Sequence, residues 1–274
     1  MDPDFVEREY NNRALVPDHP AYFERWERDS KYVRSTLAAR LDVPYGSDPR
    51  QRVDLFPAPG ARGTLVFVHG GYWRSLDKDL FSWLAAPFVA AGIGVAIPRY
   101  RLVPSVSIEQ VVDDVVMAVN WLFEHAPAHG LPMERVAVSG HSAGGHLVAA
   151  LFATPRNRLR FDPARIVGGL PMSGVFDFEP LRHLGFNTEF RLDPDGVARL
   201  NLADKRRTIT APLVIAAGAD ESSEFRRQSR VLADAWRGQV RSLLMLPGIH
   251  HFNIVDALAE RGQPLHDAAL GFFK

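Results

Sequence analysis

The stretch VAVSGHSAGGHLVAA, Val136 to Ala150, narrows the possible folds of this chain more than any other. A β-branched run ends in Ser142 bracketed by Gly140 and Gly144, and an apolar helical stretch follows at once. A plain turn needs only one glycine. Two, set on either side of a serine, point to a sharp strand-to-helix turn. There the serine backbone is strained, and side chains at the flanking positions would collide across the turn. The hydroxyl then stands at the carboxyl edge of a sheet beside the first N–H groups of a helix, where negative charge is favoured. The same residues would also make a glycine-assisted turn with an N-cap serine. The rest of the chain has to decide between the two.

Its organisation favours the first. Thr64–Gly70 (TLVFVHG) is a continuous apolar run, as expected of a strand buried on both faces. Strands and helices then alternate. Gly94–Ile97 reads as strand and Ile108–Phe123 as a helix, with Ile108, Val111, Val112, Val115, Val119, Leu122 and Phe123 on one stripe. Val136–Val138 is a strand and Ala143–Thr154 a helix. Further strands are expected at Ile166–Pro171, Leu213–Ala217 and Ser242–Leu246, with helices near Glu224–Trp236 and Ile254–Phe273. This alternation predicts an α/β fold with a mostly parallel, doubly wound sheet, in a single domain over residues 1–274. Two short strands, Asp42–Tyr45 and Arg52–Phe56, precede it, joined by the turn GSDPRQ. The polar stretch before them is helical in pieces and could pack over the site or against a second copy, so a homodimer stays open. A polar, arginine-rich stretch at about 176–210 breaks the alternation and reads as a short helical cap insertion over one end of the sheet.

Composition removes several function classes. Formal net charge is zero, whereas a general binder of nucleic acid or anionic membranes needs a basic surplus. There are no cysteines, which excludes disulfides, thiolate metal sites and a cysteine nucleophile. The N-terminus, MDPDFVEREY, lacks the basic-then-apolar order of a signal peptide. The longest apolar stretch, Trp83 to Pro98, contains Pro87, Gly92 and Gly94 and is too short to span a bilayer; it reads as a helix end, a turn and a buried strand. No G-K-[ST] occurs, and Gly92 and Gly94 lack the third glycine of a dinucleotide fingerprint. The pair His250-His251 has no H-E-x-x-H pattern or carboxylate cluster around it, so no metal site is expected. The expectation is a cytoplasmic protein acting on a small-molecule substrate, with no cofactor, nucleic acid or membrane partner.

Three further segments could serve the serine. VFVHGGYW (Val66–Trp73) places Gly70 and Gly71 in the loop after the earlier buried strand. APLVIAAGADESSEF is a buried strand ending in Gly218, followed by Asp220 and Glu221. SLLMLPGIHHFNIV is a strand and loop ending in His250 and His251. The last two end at strand termini on the edge that carries Ser142, where an orienting acid and a base must lie. His251, directly before Phe252 and the last helix, is the preferred base, and His250 is the alternative. His69, His141 and His146 read as packing residues.

Taken in order with EYNNRALVPD, DVPYG, RVDLF, SGVFDFEPL and GADESSEFRRQS, these segments make nearly the whole chain resemble the α/β-hydrolase superfamily. More narrowly it resembles the kynurenine formamidase (arylformamidase)-like enzymes. HGGYW is the most specific match, because Trp73 separates it from the HGGG of hormone-sensitive-lipase-like esterases. The resemblance implies an α/β-hydrolase fold, Ser142 as nucleophile and His251 as base. It places the acid three residues after Gly218, at Glu221, where aspartate is common; Asp220 remains the alternative acid. It also implies an oxyanion hole built from backbone N–H groups of Gly71 or Tyr72 and of Ala143. The expected reaction converts an N-formyl arylamine, N-formylkynurenine, to the free amine and formate through a formyl-enzyme. Tyr72 and Trp73 would bind substrate on the acyl side, and Phe186 or Phe190 would either line the leaving-group side or belong to the core. A short-chain carboxylesterase with the same triad and a non-catalytic binding protein of this fold are the competing readings.

Overall fold

Residues 2–274 are described by a computed structural model. Eight strands form one sheet: β1 (Arg40–Pro44), β2 (Arg52–Phe56), β3 (Thr64–Val68), β4 (Gly94–Arg99), β5 (Val136–His141), β6 (Ile166–Met172), β7 (Leu213–Gly218) and β8 (Val240–Leu246). Their spatial order is β1-β2-β4-β3-β5-β6-β7-β8. β2 runs antiparallel to both neighbours, and every other pair from β4 to β8 is parallel. The runs with no polar alternation, β3, β5 and β7, are buried along their whole length, because helices cover both faces.

Four crossover helices each join one strand to the next: α4 (Ala85–Ala90), α5 (Ile108–His125), α6 (Ala143–Ala153) and α9 (Ser223–Ala235). Three more open the chain, α1 (Pro3–Tyr10), α2 (Asn12–Leu15) and α3 (His19–Thr36). Two sit between β6 and β7, α7 (Asn187–Phe190) and α8 (Pro194–Leu200), and two close the chain, α10 (Asn253–Ala259) and α11 (Pro264–Gly271). The core splits into two layers about the sheet. α5, α6 and α9 pack one face through Val111, Val115, Leu147 and Leu232. The other face is packed by α3, α4, α10 and α11 through Trp26, Phe88, Leu258 and Leu265. Helix α5 shows why sequence pattern suffices for such elements. Ser107 and Gln110 form a reciprocal capping box at its start, and Val111, Val115, Val119 and Leu122 of the predicted stripe are buried. Among the described residues, no helix is long and apolar enough to cross a membrane.

Several boundaries shift by a few residues from the sequence reading, and two of the differences have a clear local cause. The single closing helix is interrupted: Gly262 takes φ 86° and Pro264 starts a new helix, so α10 and α11 are separate. β5 also continues to His141, because its ladder with β6 persists to the pair His141 and Met172. The stretch predicted as a cap insertion holds a 3₁₀ turn (Glu179–His183), α7 and α8.

The polar N-terminal segment docks on the body of the chain through partly buried ion pairs. Arg25 and the indole N–H of Trp26 both bond Asp256 of α10, at 2.5 and 2.9 Å. Arg34 reaches Asp54 at 2.9 Å, and Asp54 also meets the fully buried Lys78 at 2.9 Å. Strand order fixes where a ligand can sit. The chain goes from β3 to β4 on one side and then crosses to β5 on the other, which opens a crevice at the carboxyl ends of β3 and β5.

Candidate active site

Ser142 stands in that crevice, between β5 and α6, with φ 56° and ψ −119°. A left-handed backbone at a non-glycine residue costs about 1–3 kcal/mol and persists only where surrounding bonds impose it. Here the Ser142 N–H donates to the Met172 carbonyl at 2.8 Å, and its carbonyl accepts from Gly145 and His146. The two glycines of the opening motif have separate reasons. A Cβ on Gly140 would lie 2.3 Å from the Gly144 carbonyl oxygen, and one on Gly144 would lie 2.0 Å from the Val68 carbonyl oxygen. One lets the helix start close to its own strand; the other lets it start close to β3.

The β7 and β8 loops bring the remaining groups. His251 Nε2 lies 3.1 Å from Ser142 Oγ, and His251 Nδ1 lies 2.8 Å from Glu221 Oε2. The other carboxylate oxygen, Oε1, accepts from the Gly218 N–H at 2.7 Å and from Ser173 Oγ at 2.6 Å. All three of Ser142, Glu221 and His251 are buried. The imidazole of His251 packs against Phe225, with ring centroids 4.5 Å apart, and its backbone carbonyl accepts from His141 Nε2 at 2.7 Å.

Alternatives left open by the sequence separate cleanly. Asp220 is exposed; its N–H bonds the Ile249 carbonyl, and its carboxylate does not reach His251. His250 turns away from Ser142: its Nε2 meets the Tyr22 hydroxyl at 3.1 Å, and its Nδ1 accepts from the N–H groups at the start of α10. His69 is a packing residue, stacked on Tyr100 at 4.3 Å.

The loop after β3 takes positive φ at three successive positions, Gly71 (114°), Tyr72 (52°) and Trp73 (56°). It is held by Arg74 and Ser75 N–H groups on the Gly71 carbonyl and by Val103 N–H on the Trp73 carbonyl. The Tyr72 hydroxyl adds a bond to the Tyr10 carbonyl at 2.6 Å. Among the described residues the N–H groups of Gly71, Tyr72 and Ala143 have no acceptor.

A cavity of about 320 Å³ opens on Ser142 and His251. Gly71, Tyr72, Phe81, Phe186 and Phe252 line it, and the N-terminal segment adds Glu7, Asn12, Arg13, Phe23 and Trp26. Trp73 is a correction to the expectation that it binds substrate. Its side chain is fully buried against His146, Phe178 and Phe190, with the Tyr72 ring edge-on to it at 6.2 Å, and it does not line the cavity. Phe186 lines the cavity, whereas Phe190 is buried behind Tyr72.

Sequence reasoning missed Ser173, and it left open whether the N-terminal segment packs over the site without naming the residues that reach it. Ser173 carried a readable signal, since it directly follows β6 at the same sheet edge as the other groups. The individual residues of the wall carried none, because polar helices look like any solvated helix until their distant ion partners are known.

Burial also keeps several histidines neutral. Desolvation holds His69 down to about 4 and His146 to about 3, and it holds His141 well below the ordinary value, with nearby His251 adding to the effect. The unfolded chain therefore binds more protons below pH 6.5, so folding stability is complete above that pH and falls as pH drops toward 4. Each such histidine should cost on the order of 1 kcal/mol by pH 5.5. Urea unfolding at pH 7.5 and 5.5 checks this; equal midpoints would show that the three rings are not held neutral.

A profile of the α/β hydrolase fold matches residues 65–227. The chain is 29% identical over 285 residues to a kynurenine formamidase of Drosophila melanogaster, covering 94% of this chain and 92% of that one. It is 26% identical to a kynurenine formamidase of Salmo salar, covering 90% and 85%. Among solved structures, a candidate thioesterase from Silicibacter superposes with a TM-score of 0.87 at 30% identity, covering 97% of this chain and 98% of that one.

Proposed function

We propose, from the premise that the chain belongs to the α/β-hydrolase family as a kynurenine formamidase-like hydrolase, that it cleaves N-formyl arylamines, with N-formylkynurenine as substrate. The observation that carries this reading is the unbroken relay from Ser142 Oγ through His251 to Glu221, at 3.1 and 2.8 Å, at the end of an aromatic-walled cavity. His251 Nε2 accepts the hydroxyl proton as Ser142 Oγ attacks the formyl carbon. The carbonyl oxygen gains the negative charge and is met by N–H groups of Gly71 or Tyr72 and of Ala143, each worth about 3–4 kcal/mol to the transition state. The tetrahedral intermediate collapses, the C–N bond breaks, and protonated His251 gives its proton to the leaving nitrogen. Water then loses a proton to His251, attacks the formyl ester, and releases formate with the proton returned to Ser142 Oγ. Throughout, Glu221 fixes the Nδ1–H tautomer and stabilises the imidazolium.

Support for an aryl leaving group comes from Tyr72 and Phe186, whose rings meet edge to face at 5.1 Å on the cavity wall. The deciding measurement compares kcat/KM for N-formylkynurenine, followed by formate release, with that for p-nitrophenyl acetate. Turnover of the formamide with a clear preference over the ester is expected. Ester turnover without formate release would replace this reading with a carboxylesterase.

A further inference from the structure

The part of the cavity farthest from explanation is the wall supplied by α1 and α2. Asn12 lines it and is only 5% exposed, yet its Nδ2 has no hydrogen-bond partner among the described residues. A buried amide N–H left unpaired costs about 1–3 kcal/mol, so a position like this persists where something else accepts the bond. The neighbouring Arg13 also lines the cavity. Its guanidinium lies 5.8 Å from the Phe23 ring centroid, and no carboxylate pairs with it among the described residues. Glu7, on the same wall, has a single weak contact, from the Gly185 N–H at 3.3 Å. Arg74, by contrast, is already committed to Glu189 at 2.6 Å.

An unpaired amide donor, a free guanidinium and a nearly free carboxylate share a cavity that Tyr72, Phe81, Phe186 and Phe252 also line. We propose that Asn12, Arg13 and Glu7 form a subsite for an α-amino-acid arm on the leaving arylamine. Arg13 and Asn12 take the carboxylate, Glu7 takes the ammonium, and the aromatic walls take the ring. This deepens the formamidase reading and rests on it for the identity of the substrate. It makes the N-terminal segment the source of selectivity between an arylformamide with a zwitterionic arm and one without.

Binding of two ligands measured by calorimetry tests this without turnover. Kynurenine carries the arm; 2-aminoacetophenone keeps the aminophenyl ketone and lacks it. The full-length protein should bind kynurenine about tenfold or more tightly than 2-aminoacetophenone, as expected when a charged group gains a hydrogen-bonded partner. Asn12→Leu should cut that preference by about tenfold, and the more exposed Arg13→Gln by about threefold. Thermal melts establish that each variant is folded, and Arg13→Gln keeps the test valid if the buried Asn12 variant is not. Equal affinities for the two ligands in the unaltered protein, no binding of either at millimolar concentration, or variants that weaken both ligands alike would overturn the subsite. Discrimination without formate release from N-formylkynurenine would retain the subsite and reject the formamidase reading. Formate release with no discrimination would do the reverse.

Discussion

Ser142→Ala should lower kcat for the formamide by about a million-fold, because the covalent step disappears and nothing else in the cavity can replace it. The neighbouring groups explain both the size of the loss and its floor. The N–H groups of Gly71, Tyr72 and Ala143, without an acceptor among the described residues, survive the substitution, so a residual rate of about 10³–10⁴ over water should remain. His251→Ala should cost about as much, since a hydroxyl without its base is a poor nucleophile. The double variant should fall no further than either single one, because the residues act as one unit. Single-turnover kinetics with N-formylkynurenine provide the measurement. A Ser142→Ala enzyme within a hundredfold of the original would mean that water attacks directly, and the formyl-enzyme would have to be abandoned.

How much of this site the sequence reveals follows from where each constraint lies along the chain. Gly140 and Gly144 are legible because the collisions that they avoid occur within a few residues of the turn or against the adjacent strand. His251 is legible because it ends the loop of a recognisable strand. The choice between Glu221 and Asp220 is legible only through the family resemblance, since adjacent residues on a strand-end loop point in different directions. The bond from Asp220 N–H to the Ile249 carbonyl, 29 residues on, decides which carboxylate turns inward. Trp73 misleads for a related reason: sequence adjacency to Tyr72 suggests that both rings reach the cavity, whereas Trp73 is fully buried among His146, Phe178 and Phe190 and only Tyr72 lines it. Which residues of the N-terminal segment reach the cavity is least legible of all. Arg25 and Asp256 are 231 positions apart, and no local periodicity reports that they meet.

The carboxylate that this geometry selects yields the second large effect. Glu221→Gln preserves shape and removes one charge, yet it should lower kcat by about 10⁴. The reason lies in the partners of Oε1. Ser173 Oγ can rotate to donate or accept, but the Gly218 N–H can only donate, so the amide oxygen of a glutamine must occupy the Oε1 position. Its NH₂ group is then forced toward His251 Nδ1, where it can only donate. The imidazole responds by moving its proton to Nε2, the atom that has to accept from Ser142, and the base is disabled although every residue remains in place. Asp220→Asn serves as the contrast. Its side chain is exposed and outside the relay, so the rate should stay within about threefold. Ser173→Ala should fall between the two, because Oε1 keeps the Gly218 N–H while losing one of its two donors. Comparing kcat for the three variants against their melting temperatures separates chemistry from folding. A Glu221→Gln enzyme that melts normally and loses less than tenfold would show that the tautomer is set by something other than this carboxylate.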